Sequence, residues 1–179
     1  MNDAIIEIPT ALRRLEPANL SVHALADFHE GLAMMEAGQA REAVSALKRC
    51  VEQEPHFVAG HLCLGMAHAV SCDVYPAIDH LERATELAPD SFGAHYTLAK
   101  FYFTLRIPAK GHESAERALS CARTREERVA LSELLKKERE RERTGMARPL
   151  FNRNFGLCFG LVAASGLAAF IVAIALHIR

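Results

Sequence analysis

The sequence predicts an all-α fold, in which about three stacked helical hairpins and a capping helix are followed by one apolar helix near the C-terminus. The first observation is a repeat of 34 residues, which places Gly31, Gly65 and Ala99 at the same position of the period. A fixed period of this length is typical of stacked pairs of helices. The second observation is the segment 155–176, which contains no charged residue. About 20 apolar residues suffice for a helix to cross a bilayer.

These observations divide the chain into six regions. The predicted regions are an N-terminal arm or short helix (1–23), three repeats (24–57, 58–91 and 92–123), a capping helix with a charged stalk (124–143), a linker (144–154), a transmembrane helix (155–176) and a short C-terminal tail (177–179). The charged stalk begins with the alternating run KKERERER, in which Glu138 and Arg141 are spaced to form an ion pair on an exposed helix. We expect Gly145 and Pro149 to end this helix before the bilayer.

Residues that start and end helices stand where the hairpins require them. Glycine is common just after a helix, proline in its first turn, and Ser, Thr or Asp at its N-cap. The expected markers are Gly38 after the first helix, Asp73 with Pro76 opening the fourth, Asp90 and Ser91 capping the fifth, and Pro108 opening the sixth. Thr124 and Glu127 have the spacing of a capping box, which predicts a seventh helix that covers the exposed end of the array.

Small residues recur at two positions of the period. They are Gly31, Gly65 and Ala99 in the first helix of each pair, and Ala43, Ala77 and Gly111 in the second. Because small side chains let two helices approach closely, these positions predict the contact line within each hairpin, with larger residues such as Leu47 and Leu81 filling the space beside it.

The chain resembles the tetratricopeptide repeat (TPR) family over residues 24–123. The second copy carries the family pattern best, with His61, Leu64, Gly65, His68, Ala77, Leu81, Ala84 and Pro89. The third copy has His95, Leu98, Ala99, Tyr102, Gly111, Ala115 and Ala118, with Arg123 where the family has its closing proline. The first copy has Gly31, Met34, Ala43, Leu47, Cys50 and Pro55, but Asp27 and Glu30 stand at positions that the family fills with apolar residues. The resemblance implies a TPR-like superhelix.

The resemblance also implies a concave groove that binds a protein partner or a peptide helix. In the family, the groove is lined by the second, fifth, ninth and twelfth residues of each repeat. Here these include Leu25, Phe28, Leu32, Met35, Leu62, Met66, Tyr96, Lys100 and Phe103, together with Ala59, Ala69 and Gly93. This lining is apolar, so we expect it to take the amphipathic helix of a partner or the chain's own arm, with Ile5, Ile6, Ile8 and Leu12. TPR domains that bind the acidic tails of chaperones use Lys, Asn and Arg where this chain has Phe28, Leu32, Cys63 and Thr97, which speaks against that ligand.

The apolar segment 155–176 predicts a single-pass membrane protein anchored near its C-terminus, because no secretory signal is expected at the N-terminus. Basic residues tend to stay on the cytoplasmic side, and five precede the span against one that follows it, which places the N-terminal domain in the cytoplasm. They are Arg139, Arg141, Arg143, Arg148 and Arg153, against Arg179. A bacterial inner membrane is favoured over a eukaryotic organelle membrane. Small residues at every fourth position, Gly156, Gly160, Ala164 and Ala168, predict close packing against another helix in a homodimer or a membrane complex.

Other classes of function find less support in the sequence. The net charge is −1 and no basic stripe is present, which argues against nucleic acid as a partner. No motif pairs a nucleophile with a base or forms a phosphate loop, so we expect a non-enzymatic protein without cofactor. The leading prediction is a membrane-anchored adaptor that mediates protein–protein interaction, and the alternative is a structural or assembly subunit of a membrane complex. A metal- or redox-linked module using His61, His68 and Cys72 is less favoured, because the spacing offers no further ligand and His61 and His68 occupy packing positions of the repeat; no metal site is therefore predicted.

Overall fold

The structure, a computed structural model, describes residues 20–146. Over that range the chain forms seven helices and no strand, which confirms the predicted all-α class. The helices are α1 (Val22–Glu36), α2 (Ala40–Gln53), α3 (Val58–Val70), α4 (Val74–Leu87), α5 (Phe92–Thr104), α6 (Pro108–Cys121) and α7 (Arg125–Met146). The predicted arm up to residue 19, and the predicted linker, span and tail from residue 147 onward, lie outside the described residues.

The chain divides into two compact units, Met1–Leu135 and Lys136–Arg179. The first unit contains α1 to α6 and the first half of α7. The described part of the second unit is the charged half of α7. Arg141 donates to Glu138 there (Nη1 to Oε2, 3.0 Å), so the predicted ion pair forms, but Glu138 is buried and not on an exposed face as expected. The helix continues through Gly145 to Met146, since a glycine in a terminal helical turn costs only about 1 kcal/mol.

Consecutive helices form three hairpins, α1 with α2, α3 with α4 and α5 with α6. Glycines lie at the contact line of each hairpin, as the period predicted. A Cβ atom on Gly31 would lie 2.5 Å from Cγ of Leu47, and one on Gly65 would lie 2.8 Å from Cγ of Leu81. Since real Cβ contacts are longer than this, the close approach of the paired helices depends on the missing side chains.

The turn inside each hairpin has the same backbone geometry. One residue per turn has a positive φ, and the three are spaced by the 34-residue period: Gly38 (76°), Cys72 (66°) and Arg106 (62°). The next residue's N–H then donates to a carbonyl five residues back, from Gln39 to Met34 (2.8 Å), from Asp73 to His68 (2.9 Å) and from Ile107 to Tyr102 (3.0 Å). These bonds satisfy carbonyl groups that the end of the first helix leaves unpaired.

Two of the predicted caps form as expected. Ser91 Oγ accepts from the N–H of Ala94 (3.3 Å) at the start of α5. Thr124 and Glu127 make a reciprocal capping box, because the N–H of Glu127 donates to Thr124 Oγ1 (3.2 Å) and the N–H of Thr124 donates to Glu127 Oε2 (3.0 Å). Asp73 occupies the N-cap position of α4 without a side-chain capping bond, since its carboxylate lies 3.3 Å from His68 Nδ1.

The acidic residues that depart from the TPR pattern in α1 have partners on α2. Arg49 donates from Nε to Asp27 Oδ1 (2.8 Å) and from Nη2 to Glu30 Oε2 (2.7 Å), and Gln53 Nε2 donates to Asp27 Oδ2 (2.7 Å). The neighbouring carboxylates raise the pKa of Arg49. A polar network therefore joins α1 to α2 where the family uses apolar packing.

The core of the first unit consists of two clusters of buried side chains. The larger one spans α1 to α4 and takes Leu98, Phe101 and Tyr102 from α5. The smaller one contains Ala99 and Phe103 of α5, Ala115 and Ala118 of α6, and Leu131 of α7. Helix α5 thus contributes side chains to both clusters. Leu131 of α7 packs against the last hairpin, as expected for a capping helix.

Candidate functional site

The residues predicted to line a groove all lie on the first helix of a hairpin, that is, on α1, α3 or α5. Six of them are buried: Phe28, Leu32, Met35, Leu62, Met66 and Phe103. Leu25, Tyr96 and Lys100 keep part of their surface exposed. The structure brings Phe28, Leu32, Met35, Leu62 and Met66 together in the larger core cluster, whereas Tyr96 and Phe103 belong to the smaller one.

The packing of Phe28 and Phe103 shows how these side chains are used. The Phe28 ring meets Phe57 edge to face, with 4.9 Å between ring centroids. The Phe103 ring fills the space beside Gly111 of α6, because a Cβ on Gly111 would lie 2.6 Å from it. Both rings therefore contribute to the interior of the array.

Helices α1, α3 and α5 form a layer of their own. Helix α1 contacts α3, and α3 contacts α5, while no contact of similar extent joins α2 to α4 or α4 to α6 in the described part of the chain. The first helices of the three hairpins are therefore in mutual contact, whereas the second helices, over the same described residues, make contacts of this extent only with the first helices beside them.

Three histidines meet in the second hairpin. His61 of α3 lies 3.1 Å from His80 of α4 (Nδ1 to Nδ1), and the His68 ring stacks on His80 at 5.9 Å between centroids with an interplanar angle of 8°. The carbonyl oxygen of Pro55 can only accept a hydrogen bond, so His61 Nε2, 3.1 Å away, donates to it. His61 Nδ1 is then the acceptor and His80 Nδ1 the donor.

This arrangement keeps the two bonded imidazoles neutral. Burial lowers the pKa of His80 to about 4. Repulsion from His61 and His68 in their protonated forms lowers it further in the same direction. Burial also lowers the pKa of His61, against the Pro55 hydrogen bond that raises it. Of the cluster, His61 and His68 were identified from the sequence as packing residues, but His80 was not.

The cysteines and the histidine cluster offer no convergent ligand set. No group of three or more His, Cys, Asp or Glu side chains in residues 20–146 could hold a metal ion. Cys72 lies exposed in the turn after α3, and His68 Nδ1 faces Asp73. Cys50 and Cys63 are buried, and burial raises their pKa to about 11 and about 12, so both remain thiols at neutral pH.

In the third hairpin, a tyrosine takes the position of His68. The hydroxyl of Tyr102 donates to Glu82 Oε1, and Lys110 donates from Nζ to the same hydroxyl at 3.3 Å. Lys110 also lies 5.1 Å from the centre of the Tyr102 ring. Burial and the bond to Glu82 raise the pKa of Tyr102. The contact joins α4, α5 and α6 through one side chain.

The membrane prediction concerns residues beyond the described range. Among the helices between residues 20 and 146, none is both long and apolar enough to span a bilayer. The candidate packing residues Gly156, Gly160, Ala164 and Ala168 lie outside the described residues, as does the whole segment 155–176.

The sequence matches no known protein family, and no curated protein matches it. Solved structures do match the fold. The first TPR of Spaghetti (RPAP3), bound to the HSP90 peptide SRMEEVD, is similar at a TM-score of 0.57 and 15% identity, covering 68% of this chain and 98% of that one. The CopN–Scc3 complex is similar at 0.58 and 13%, covering 73% and 87%, and MamA at 0.52 and 21%, covering 77% and 86%. At these identities the similarity shows the fold alone: an all-α, TPR-like array of helical hairpins.

Proposed function

We propose that this protein is a membrane-anchored adaptor that binds a protein partner along the layer formed by α1, α3 and α5. The single observation that carries the proposal is the three-hairpin TPR-like array with its first helices in mutual contact. Such arrays bind partners on the inner side of their curvature. Of the similar structures, one is a TPR bound to a peptide and another is a protein complex, which supports the same class of function for this chain.

The chemistry of the partner follows from the side chains on this layer. Phe28, Leu32 and Leu62 are buried, so their side chains pack beneath the surface of the layer and are not available for contact. The partner therefore contacts the half-buried Leu25, Tyr96 and Lys100. An apolar peptide helix suits this surface better than the acidic tail in the Spaghetti structure. The basic positions that clamp such a tail in the TPR family are Phe28, Leu32, Cys63 and Thr97 here.

The groove is tested by charged substitutions at its accessible positions. Leu25→Glu and Tyr96→Glu should each reduce proximity labelling of the partner by the full-length chain about tenfold or more, since a charge must be desolvated in an apolar contact. Tyr75→Glu is the matched control, because Tyr75 is exposed on α4 and outside the layer. Labelling that is equal in all three variants, with helical circular dichroism retained, would contradict the proposal.

We propose that residues 155–176 provide the anchor and that the N-terminal domain faces the cytoplasm of a bacterial cell. The uncharged composition of the segment supports this, as do the arginines that precede it. The full-length chain should remain in the membrane pellet after alkaline extraction. Changing Ala164 and Ala168 together to Arg should release it, because each central arginine opposes insertion by about 3 kcal/mol. A chain that is soluble without detergent would refute the anchor.

The small residues of the segment further lead us to propose a helix–helix contact in the membrane. Gly156, Gly160, Ala164 and Ala168 recur at every fourth position and would let a second helix approach closely. Gly160→Leu should then reduce dimerisation in a membrane-association assay while leaving membrane insertion unchanged. Unaltered association would remove this part of the proposal.

A further inference from the structure

A cleft of about 470 Å³ opens between α4, α5 and α6. His95 and Tyr102 of α5 and Ser114 of α6 are among the residues that line it. His95 and Tyr102 lie seven residues apart, two turns along one side of α5, whereas the proposed partner surface uses Tyr96 and Lys100 on an adjacent side. The cleft is therefore a separate feature from the surface described above.

The 34-residue period relates this cleft to the histidine cluster of the second hairpin. His95 is the equivalent of His61, and both make the same contact with the preceding loop. His95 Nε2 lies 2.8 Å from the carbonyl oxygen of Pro89, as His61 Nε2 lies 3.1 Å from that of Pro55. The histidine cluster and the cleft therefore share the same histidine-to-loop hydrogen bond. They differ in the side chain that the second helix of the hairpin contributes.

That side chain is an imidazole in one hairpin and a hydroxyl in the other. In the second hairpin, the His80 ring occupies the space between His61 and His68, at 5.3 Å and 5.9 Å from their ring centres. Its equivalent in the third hairpin is Ser114. A serine is too small to fill the volume of an imidazole ring. The cleft is lined by the equivalents of all three histidines, His95, Tyr102 and Ser114, and by Lys110, whose Nζ lies 5.1 Å from the centre of the Tyr102 ring.

The third hairpin also keeps the polar atoms that the ring would meet. Because the carbonyl oxygen of Pro89 can only accept, His95 Nε2 carries a hydrogen, and Nδ1 in that tautomer is a hydrogen-bond acceptor. In the second hairpin the equivalent atom of His61 accepts from His80. Neither His95 Nδ1 nor Ser114 Oγ has a hydrogen-bond partner among residues 20–146, and neither is a fully buried atom, so both are open to solvent in the cleft.

We propose that this cleft binds the imidazole side chain of a histidine presented by a partner polypeptide. The incoming ring takes the place that His80 has in the second hairpin: it lies beside Tyr102 and donates its N–H to His95 Nδ1. The remaining volume of the cleft accommodates the partner's main chain. This site goes beyond the proposed adaptor function, since it uses neither the layer of α1, α3 and α5 nor the membrane anchor.

The probe for this site is N-acetylhistidine methylamide, added to the full-length chain and followed by NMR. We expect saturable shift changes at His95, Tyr102 and Ser114, and about tenfold weaker binding of N-acetylleucine methylamide, which lacks the ring and its N–H. Ser114→His should abolish binding, because the new ring fills the cleft from within. Ser120→His, at an exposed position of the same helix, is the matched control and should bind as the wild type does.

A converse variant keeps the proposal falsifiable if Ser114→His does not fold. His80→Ser should open the equivalent space in the second hairpin and raise the number of probe molecules bound from one to two. The absence of saturable shifts in the wild type, or shifts that Ser114→His leaves unchanged, would overturn the proposal. Leu25→Glu should bind the probe as the wild type does, because Leu25 belongs to the proposed partner surface and not to the cleft; loss of probe binding in this variant would contradict a separate site.

Discussion

Substitutions in the turn inside each hairpin test the backbone geometry, because replacing a residue by glycine and replacing glycine by another residue should change the free energy of unfolding in opposite directions. Gly38, Cys72 and Arg106 share a positive φ of 62° to 76°. For a residue with a Cβ atom, this conformation costs about 1 to 2 kcal/mol, and glycine adopts it freely. Glycine, however, loses more backbone entropy on folding, which offsets the relief of this strain by about 0.5 to 1 kcal/mol. The difference predicts a net effect of about 0.5 to 1 kcal/mol at each turn.

We therefore expect Cys72→Gly and Arg106→Gly to raise the free energy of unfolding by about 0.5 to 1 kcal/mol, and Gly38→Ala to lower it by a similar amount or more. Both Cys72 and Arg106 are exposed, and neither makes a side-chain hydrogen bond within residues 20–146, so little else is lost on their replacement. Urea denaturation of the full-length chain, followed by circular dichroism at about 222 nm, measures the change.

Gly93→Ala is the matched control. Gly93 lies in the first turn of α5 without a positive φ, and a Cβ there would lie 3.9 Å from its nearest neighbour, Ser91 Oγ. Alanine should therefore stabilise this position by up to about 1 kcal/mol, in contrast to Gly38→Ala. The reasoning would be refuted if Gly38→Ala proved as stable as the wild type, or if Cys72→Gly lowered the stability.

Three further measurements test the packing, the histidine cluster and the cap. Gly65→Val should lower the free energy of unfolding by about 1 to 3 kcal/mol, because its Cβ would lie 2.8 Å from Leu81 Cγ; an unchanged urea midpoint would contradict the close helix approach. Because the pKa of His80 is lowered from 6.5 to about 4, the unfolded chain binds the extra proton first, so stability is complete above pH 6.5 and falls as the pH drops toward 4. Allowing for solvent screening at this half-buried site, the loss is about 1 to 2 kcal/mol, and His80→Gln should flatten the pH profile of unfolding. Thr124→Ala removes one bond of the capping box shared with Glu127 and should cost about 1 kcal/mol, measured as a shift in the urea midpoint relative to Ser132→Ala on the exposed face of the same helix.

The fold was predictable because the 34-residue period fixes both the helix pairs and their contacts. Small residues such as Gly31 and Gly65 reveal where two helices touch, since no other position of a helix requires the absence of a side chain. The capping box at Thr124 is equally local and is readable from four consecutive residues. These features depend on neighbours in sequence or on equivalent positions, which a single chain displays.

The candidate site was less predictable because it depends on contacts between side chains from different helices. The period identifies Phe28 and Phe103 as groove positions, but only the structure shows that both rings are buried in the interior. His80 was overlooked because the sequence around it carries no motif. A signal did exist: the same position of the period holds Ala46, His80 and Ser114, a variation in size that changes how the space beside the first helix is filled.

The division of the core between two clusters affects which part of the array can unfold locally. Helix α5 gives Leu98 and Phe101 to one cluster and Phe103 to the other, so the buried side chains of α6 and Leu131 do not support the first two hairpins directly. Loosening of the terminal hairpin can then proceed as a sub-global opening that leaves α1 to α4 protected from hydrogen exchange. Binding of a partner at Tyr96 would then be coupled to the opening of the terminal hairpin, while the first two hairpins stay folded.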